Sequence, residues 1–232
     1  MKGKGYIVSV FLLVLPTVSF ASDNWADRVQ VSGVVEVEAG AVDDSSVDSS
    51  DIATATVQLG IEATINDGVT GHVLLLHEED DTPLEVDEGS ITVSLNGQGS
   101  VYLTAGQMYV PFGNFESHMV SDPLTLELGE TRQSILQVGF DNNGLYGSAY
   151  LFNGTTIENG GDDSVENFGA NVGYVMESDS LNIDLGASYI SNIADSFGIM
   201  DNLPTTGDDI NALDSYVDGF AIYASSQNQI RW

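Results

Sequence analysis

Apolar and polar residues alternate with period two along most of this chain. In Val29–Gly40, Val29, Val31, Val35 and Val37 fall on one face, with Gln30, Ser32, Glu36 and Glu38 mostly on the other. In Ile52–Ile65, Ala53, Ala55, Val57, Leu59, Ile61, Ala63 and Ile65 oppose Thr54, Thr56, Gln58, Glu62 and Thr64. Alternation over such a length predicts a strand with one apolar and one polar face. The three-to-four spacing of an amphipathic helix is absent. Further segments of the same kind are Val69–His77, Ser90–Leu95, Ser100–Val110, Ser134–Phe140, Leu145–Asn153, Val165–Val175, Leu181–Ile190 and Val217–Ser225, which brings the predicted strands to ten. No internal repeat of solenoid length accompanies them.

The connections carry a second pattern. NDG (66–68), NGQG (96–99), DNNG (141–144) and ESDS (177–180) are short turn-forming joints. Longer stretches lie between them at 41–51, 78–89, 111–133, 154–164 and 191–216. VDDSSVDSSD, at 42–51, is expected to be an external loop. Aromatics gather near strand ends, at Tyr109, Phe112, Phe140, Phe152, Tyr174 and Tyr189. Alternating long and short connections, with aromatics at both strand ends, predict an all-β fold, an antiparallel transmembrane β-barrel of about ten strands. The rival is a soluble secreted β-sandwich, which also has alternating strands. Its strands usually run ~5–6 residues, shorter than those read here.

The amino terminus has a leader pattern. Lys2 and Lys4 precede an apolar run, Ile7–Val18, and Ser19, Phe20 and Ala21 form a small-x-Ala cleavage site. Residues 1–21 are expected to be a signal peptide and 22–232 the barrel, placed in the outer membrane of a Gram-negative bacterium. No later apolar run approaches the ~18 residues of a spanning helix, so a membrane form of this chain is a barrel.

Charge narrows the partners. Past the leader, three arginines remain against 35 acids, a formal charge of −32. That field repels nucleic acid and attracts cations. It reads either as a solvated acidic exterior or as an acidic pore. There is no Cys, so no disulfide framework supports the fold.

Candidate chemistry is thin. The histidines are His72, His77 and His118. The first two are five apart and point to opposite faces of a strand. His118 has Glu116 and Asp122 nearby, which is weaker than a ligand set, and a polar loop histidine is the plainer reading. The acidic runs lack the Gly and Glu positions of a calcium loop. No G-x-S-x-G, phosphate-cradling loop or Cys nucleophile is present. The expectation is a chain that is not an enzyme, with no metal site and no cofactor.

Residues 111–131 stand apart. Pro111 and Gly113 break a strand, and Pro123 interrupts pairing again. Leu124, Leu126 and Leu128 then alternate with Thr125, Glu127 and Gly129. A loop this apolar is expected to fold inward, pack on the barrel wall and narrow the lumen. Phe112, Phe115, Glu116, His118, Asp122, Glu127 and Glu130 are then the candidate constriction and ligand contacts, with Arg132 as the nearby cation. Gln58, Glu62, Asn171, Asn182 and Asp184 belong to the polar set and are expected to face the lumen.

GQMYVPFGNFESHMVSDPLTLELGETRQS (106–134), VGF (138–140) and GLYGSAYLFNG (144–154) resemble the LbtU family of siderophore porins. VQVSGVVEVEAG (29–40) is similar to that family's first strand. The resemblance implies an outer-membrane porin-like barrel that takes up small solutes passively, with ferric siderophores as the candidate solute. Family members have more than ten strands, and SSQNQIRW (225–232) reads as a turn and the start of another strand. This chain is therefore expected to be the amino-terminal part of a larger barrel. Two other functions fit the residues: an outer-membrane adhesin or structural barrel without channel activity, and a soluble secreted sandwich binding divalent cations. Nothing in the sequence fixes an oligomeric state.

Overall fold

The computed structural model describes residues 6–9, 28–44, 47–79, 82–96, 100–115, 123–161, 164–178, 181–203 and 212–228. The chain forms two compact units. One comprises Met1–Asn66 and Thr70–Gly89, the other Asp67–Val69 and Ser90–Trp232.

The ten strands read from alternation are all present: β2 (Val29–Asp44), β3 (Val47–Asn66), β4 (Val69–Glu78), β5 (Glu85–Ser94), β6 (Val101–Tyr109), β7 (Arg132–Asn142), β8 (Leu145–Phe152), β10 (Asn167–Glu177), β11 (Leu181–Ile190) and β13 (Gly219–Asn228). They form one antiparallel sheet in chain order, preceded by β1 (Tyr6–Ser9). Among the described residues the order is linear and does not return from β13 to β2. Two short strands, β9 (Ile157–Glu158) and β12 (Ala212–Leu213), pair separately in parallel.

In the first unit β2 and β3 make a long hairpin. Val29, Val31 and Val35 oppose Ala63, Ile61 and Val57 on one face, while Gln30 and Ser32 oppose Glu62 and Gly60 on the other. Gln58 shares that second face, opposite Val34. A bulge between Glu36 and Glu38 shifts the register by one residue. The hairpin corrects the expected external loop at 42–51. The ladder continues through Asp43–Asp48 and Asp44–Val47, so the connection is two residues and not eleven. Backbone hydrogen bonds sustain a ribbon beyond the last apolar pair, whereas the sequence reading required an apolar face. Tyr6–Ser9, part of the expected leader, lies antiparallel to β2. The expected cleavage site at 19–21 lies outside the described residues.

The second unit shows why alternation was a sound guide. On β7, Leu136, Val138 and Phe140 are exposed while Ile135, Gln137 and Gly139 are buried. On β8, Leu145, Ala149 and Leu151 are exposed while Ser148, Tyr150 and Phe152 are buried. Phe168, Val172 and Tyr174 of β10, Leu185 of β11 and Phe220 and Ile222 of β13 continue the exposed apolar face, with Ile222 90% exposed. The other face holds the core cluster, Val110, Phe112, Ile135, Tyr150, Phe152 and Ile190. Two of the strand-end aromatics, Phe112 and Phe152, do not stand on the exposed apolar face. Both belong to the core cluster on the covered face: Phe152 shares that face with Tyr150 and not with Leu151 in the register, and Phe112 packs there from the segment after β6. On the exposed face, Phe168, Tyr189 and Phe220 form a row across three strands, with ring centroids 5.7 and 5.1 Å apart.

The β7–β8 turn follows its residues closely. Asn143 and Gly144 both have positive φ, 53° and 84°, in a two-residue connection between Asn142 and Leu145. That is the geometry for which Asn-Gly is favoured.

Candidate functional site

The covered face of the second unit is built on paired tyrosines and glycines. Tyr102 lies opposite Gly139, Tyr150 opposite Gly169, Tyr146 opposite Gly173 and Tyr223 opposite Gly186. In each pair the ring covers the space that a Cβ on the glycine would occupy. The ring lies flat on the sheet and shields a residue with no side chain of its own. It also carries its hydroxyl sideways over the next strands. The Tyr146 hydroxyl donates to Asp184 Oδ1 at 2.8 Å and stands 2.6 Å from the Tyr223 hydroxyl.

A row of small polar residues crosses the same face. Thr92 and Thr104 hydrogen-bond through their hydroxyls at 2.9 Å, Thr104 faces Gln137, and Ser148 donates to Asn171 Oδ1 at 2.6 Å. Asn171 in turn faces Ser188. A purely apolar core would not carry such a row, because each polar group must find a partner there.

The segment after β6 folds onto this face. Pro111 offers no N–H to continue the ladder, and Gly113 turns with φ 76°. The Gly113 N–H then donates to Ser188 Oγ of β11 at 2.7 Å, 75 residues along the chain. Phe112 is buried in the core cluster, and Phe115 packs against it with its ring centroid 6.2 Å from that of Phe112. Residues Leu124–Gly129 form a short helix, α1. This corrects the strand-like alternation of Leu124, Leu126 and Leu128. Pro123 stands where a helix start tolerates it, and its carbonyl accepts from Leu126 N–H at 2.8 Å. Leu124 is 67% exposed, so the alternation marks no buried face.

Between this segment and the sheet lies an open cleft of about 360 Å³. Phe112, Phe115 and Leu126 give it an apolar wall, Tyr146, Tyr223 and Asp184 a polar floor, and Glu130 a further acid. The structure therefore brings together Phe112, Phe115, Glu130 and Asp184 of the expected site residues. Asn171 lies on the same face, and Asn182 lies two residues before Asp184 on its strand. Gln58 and Glu62 lie in the first unit. Glu116, His118 and Asp122 lie outside the described residues, as does the Glu127 side chain.

Arg132 does not sit in this cleft. Its guanidinium lies over the Phe197 ring, 5.6 Å from the centroid. Phe197 opens α2 (Phe197–Met200) in the connection between β11 and β13. Its ring meets Tyr109 edge-on at 6.3 Å, and its N–H donates to the Glu130 carbonyl at 3.1 Å. One residue thus ties two long connections together.

A second tie went unread in the sequence. Asp195 is 2% exposed. Its Oδ1 accepts from Thr155 N–H, Thr156 N–H and the Thr156 hydroxyl at 2.8, 2.7 and 2.9 Å. Asn192 Nδ2 donates to Asp195 Oδ2 at 3.1 Å and to Thr156 Oγ1 at 2.7 Å. Thr-Thr and Asn-x-x-Asp, nearly 40 residues apart, carry no joint signal in a single sequence.

An all-β sheet with one exposed apolar face and one polar, loop-covered face is the class of protein this geometry defines. Neither a family model nor a solved structure matches the chain. The chain is similar to UPF0422 proteins of Legionella pneumophila. It is 26% identical to that of strain Lens and 27% identical to that of strain Philadelphia 1, in each case over 183 residues, 73% of this chain and 34% of the relative. A UPF0422 protein of Coxiella burnetii is 31% identical over 142 residues, 58% of this chain and 30% of the relative. The chain spans about a third of the length of the relatives it matches.

Proposed function

We propose that this chain builds part or all of an outer-membrane β-barrel that passes small solutes through a polar lumen. The carrying observation is the two-faced sheet. Large apolar side chains stand exposed along one face of β7–β13, while hydroxyls, amides and a folded-in connection occupy the other. In water that apolar face is a liability, and against lipid it is the required surface. These strands run 8–11 residues, against the ~9–11 that a tilted spanning strand needs. The row Phe168, Tyr189 and Phe220 suits a bilayer interface. A soluble sandwich would instead need a second sheet over the apolar face.

Export through a leader at residues 1–21 belongs to this reading, and cleavage removes Tyr6–Ser9 from β2. A sheet in lipid keeps no open edge, so β2 and β13 are paired in the membrane, with each other or with further strands. In this reading the connection 111–131 narrows the lumen. The resemblance to siderophore porins makes ferric siderophores the candidate solute.

Planar-bilayer recording tests the reading. The purified chain should give discrete conductance steps, and deleting 114–128 should enlarge each step. Steps of unchanged size would show that this connection is no constriction, and a silent bilayer would show that these strands do not close a channel by themselves.

A further inference from the structure

We infer that the cleft between Phe115, Leu126 and the tyrosine floor of the sheet binds small organic cations with an apolar body and rejects anions of the same shape. It rests on the proposed channel only for the cleft's place on the lumen face, names a ligand separate from the ferric siderophore, and can be measured without transport.

The chemistry is on the cleft's surface. Asp184 is held in place by the Tyr146 hydroxyl, which occupies one lone pair of its carboxylate. A carboxylate has about four such sites, so it can accept further donors from a bound ammonium group. The Tyr146 and Tyr223 hydroxyls, 2.6 Å apart, extend the acceptor surface beside it. The half-buried Phe115 and Leu126 form the apolar wall, with Phe112 behind them in the core, and suit an apolar body. Among the described residues no Lys, Arg or His lines the cleft. Arg132, at the start of β7, lies over the Phe197 ring. A volume of about 360 Å³ fits a small molecule. The chain's formal charge of −30 raises the local concentration of cations and lowers that of anions.

The test is calorimetric titration of the purified full chain in neutral detergent micelles, at neutral pH and low salt. Phenethylammonium is the probe and phenylacetate its anionic counterpart. Phenethylammonium should bind at one site and phenylacetate should not. Asp184→Asn should weaken the binding about tenfold. It preserves an acceptor for the Tyr146 hydroxyl, so the floor of the cleft stays built. Phe115→Leu should weaken binding severalfold without touching any charge, and serves if the Asp184 variant does not fold. Asp201→Asn, an exposed acid on another connection, should change nothing. Equal binding of both probes, no binding of either, or binding unmoved by both cleft variants would overturn the inference. Conductance without ammonium binding sinks this inference and leaves the channel. Ammonium binding without conductance does the reverse.

Discussion

Glycine at 139, 169, 173 and 186 is where the covered face depends on the absence of one carbon. A Cβ at Gly169 would meet the Tyr150 ring, and one at Gly173 the Tyr146 ring. Gly169→Ala should therefore cost about 1–3 kcal/mol, read as a lower temperature at which the folded, fast-running gel band is lost. Tyr150→Phe should do the opposite or nothing. Its hydroxyl is buried and finds no hydrogen-bond partner among the described residues, so removing it relieves a desolvation cost. A clear loss of stability in Tyr150→Phe would show that the hydroxyl is satisfied after all. Asp195→Ala strands several buried donors at once and should cost roughly 2–4 kcal/mol by the same readout. Tyr216 adds a pH dependence. Burial first, then the nearby Glu166, Glu158 and Asp195, hold its phenol above the ordinary value of 10.0. The folded state thus keeps the proton more tightly than the unfolded state. Its contribution is whole below about pH 10 and is lost as pH rises through the raised value. Tyr216→Phe should lose less stability than the parent across that alkaline range. At this scale the sequence was legible only locally. Asn143-Gly144 announced its turn, but Tyr102 and Gly139 meet only through a register that no neighbouring residue specifies.

The strands and the long connections behave differently as elements. Period-two alternation located each strand because one face had to be apolar and the other polar. It placed ends poorly where pairing outlasts the pattern, as in Val47–Asn66, and it misread Leu124–Gly129, which lies in a connection. That Phe112 and Phe115 pack on the covered face was legible in outline, since exposed aromatics at that density are unfavourable in water. The anchor of their segment was not. Gly113 N–H reaching Ser188, and Phe197 reaching Tyr109, Glu130 and Arg132, depend on strands being neighbours in space. Phe197→Ala should uncouple the two connections. Limited proteolysis should then cut faster within 123–131, with the strands left intact. Unchanged cutting would mean that Phe197 is incidental to the tie.

For the whole molecule, the account turns on what covers the exposed apolar face. Ten strands in chain order were legible because each is one alternating run. The barrel read from the long and short connections goes further than the sheet does: among the described residues β13 does not pair with β2, and a pairing between a sheet's two ends leaves no trace in any single strand. The cation preference belongs to this scale as well as to the cleft, since an acidic chain biases every solute that approaches it. The chain has no Cys, which makes single-cysteine labelling clean. The most direct measurement places an environment-sensitive fluorophore, one site at a time, at Ala149, Leu151, Ala170 and Val172 and at Ser148 and Asn171, with the chain in lipid vesicles. The account predicts blue-shifted emission, quenched by a lipid-soluble quencher, at the first four positions, and quenching only by a water-soluble quencher at the last two. Water-like emission at both sets, with the chain left outside the vesicles, would contradict it.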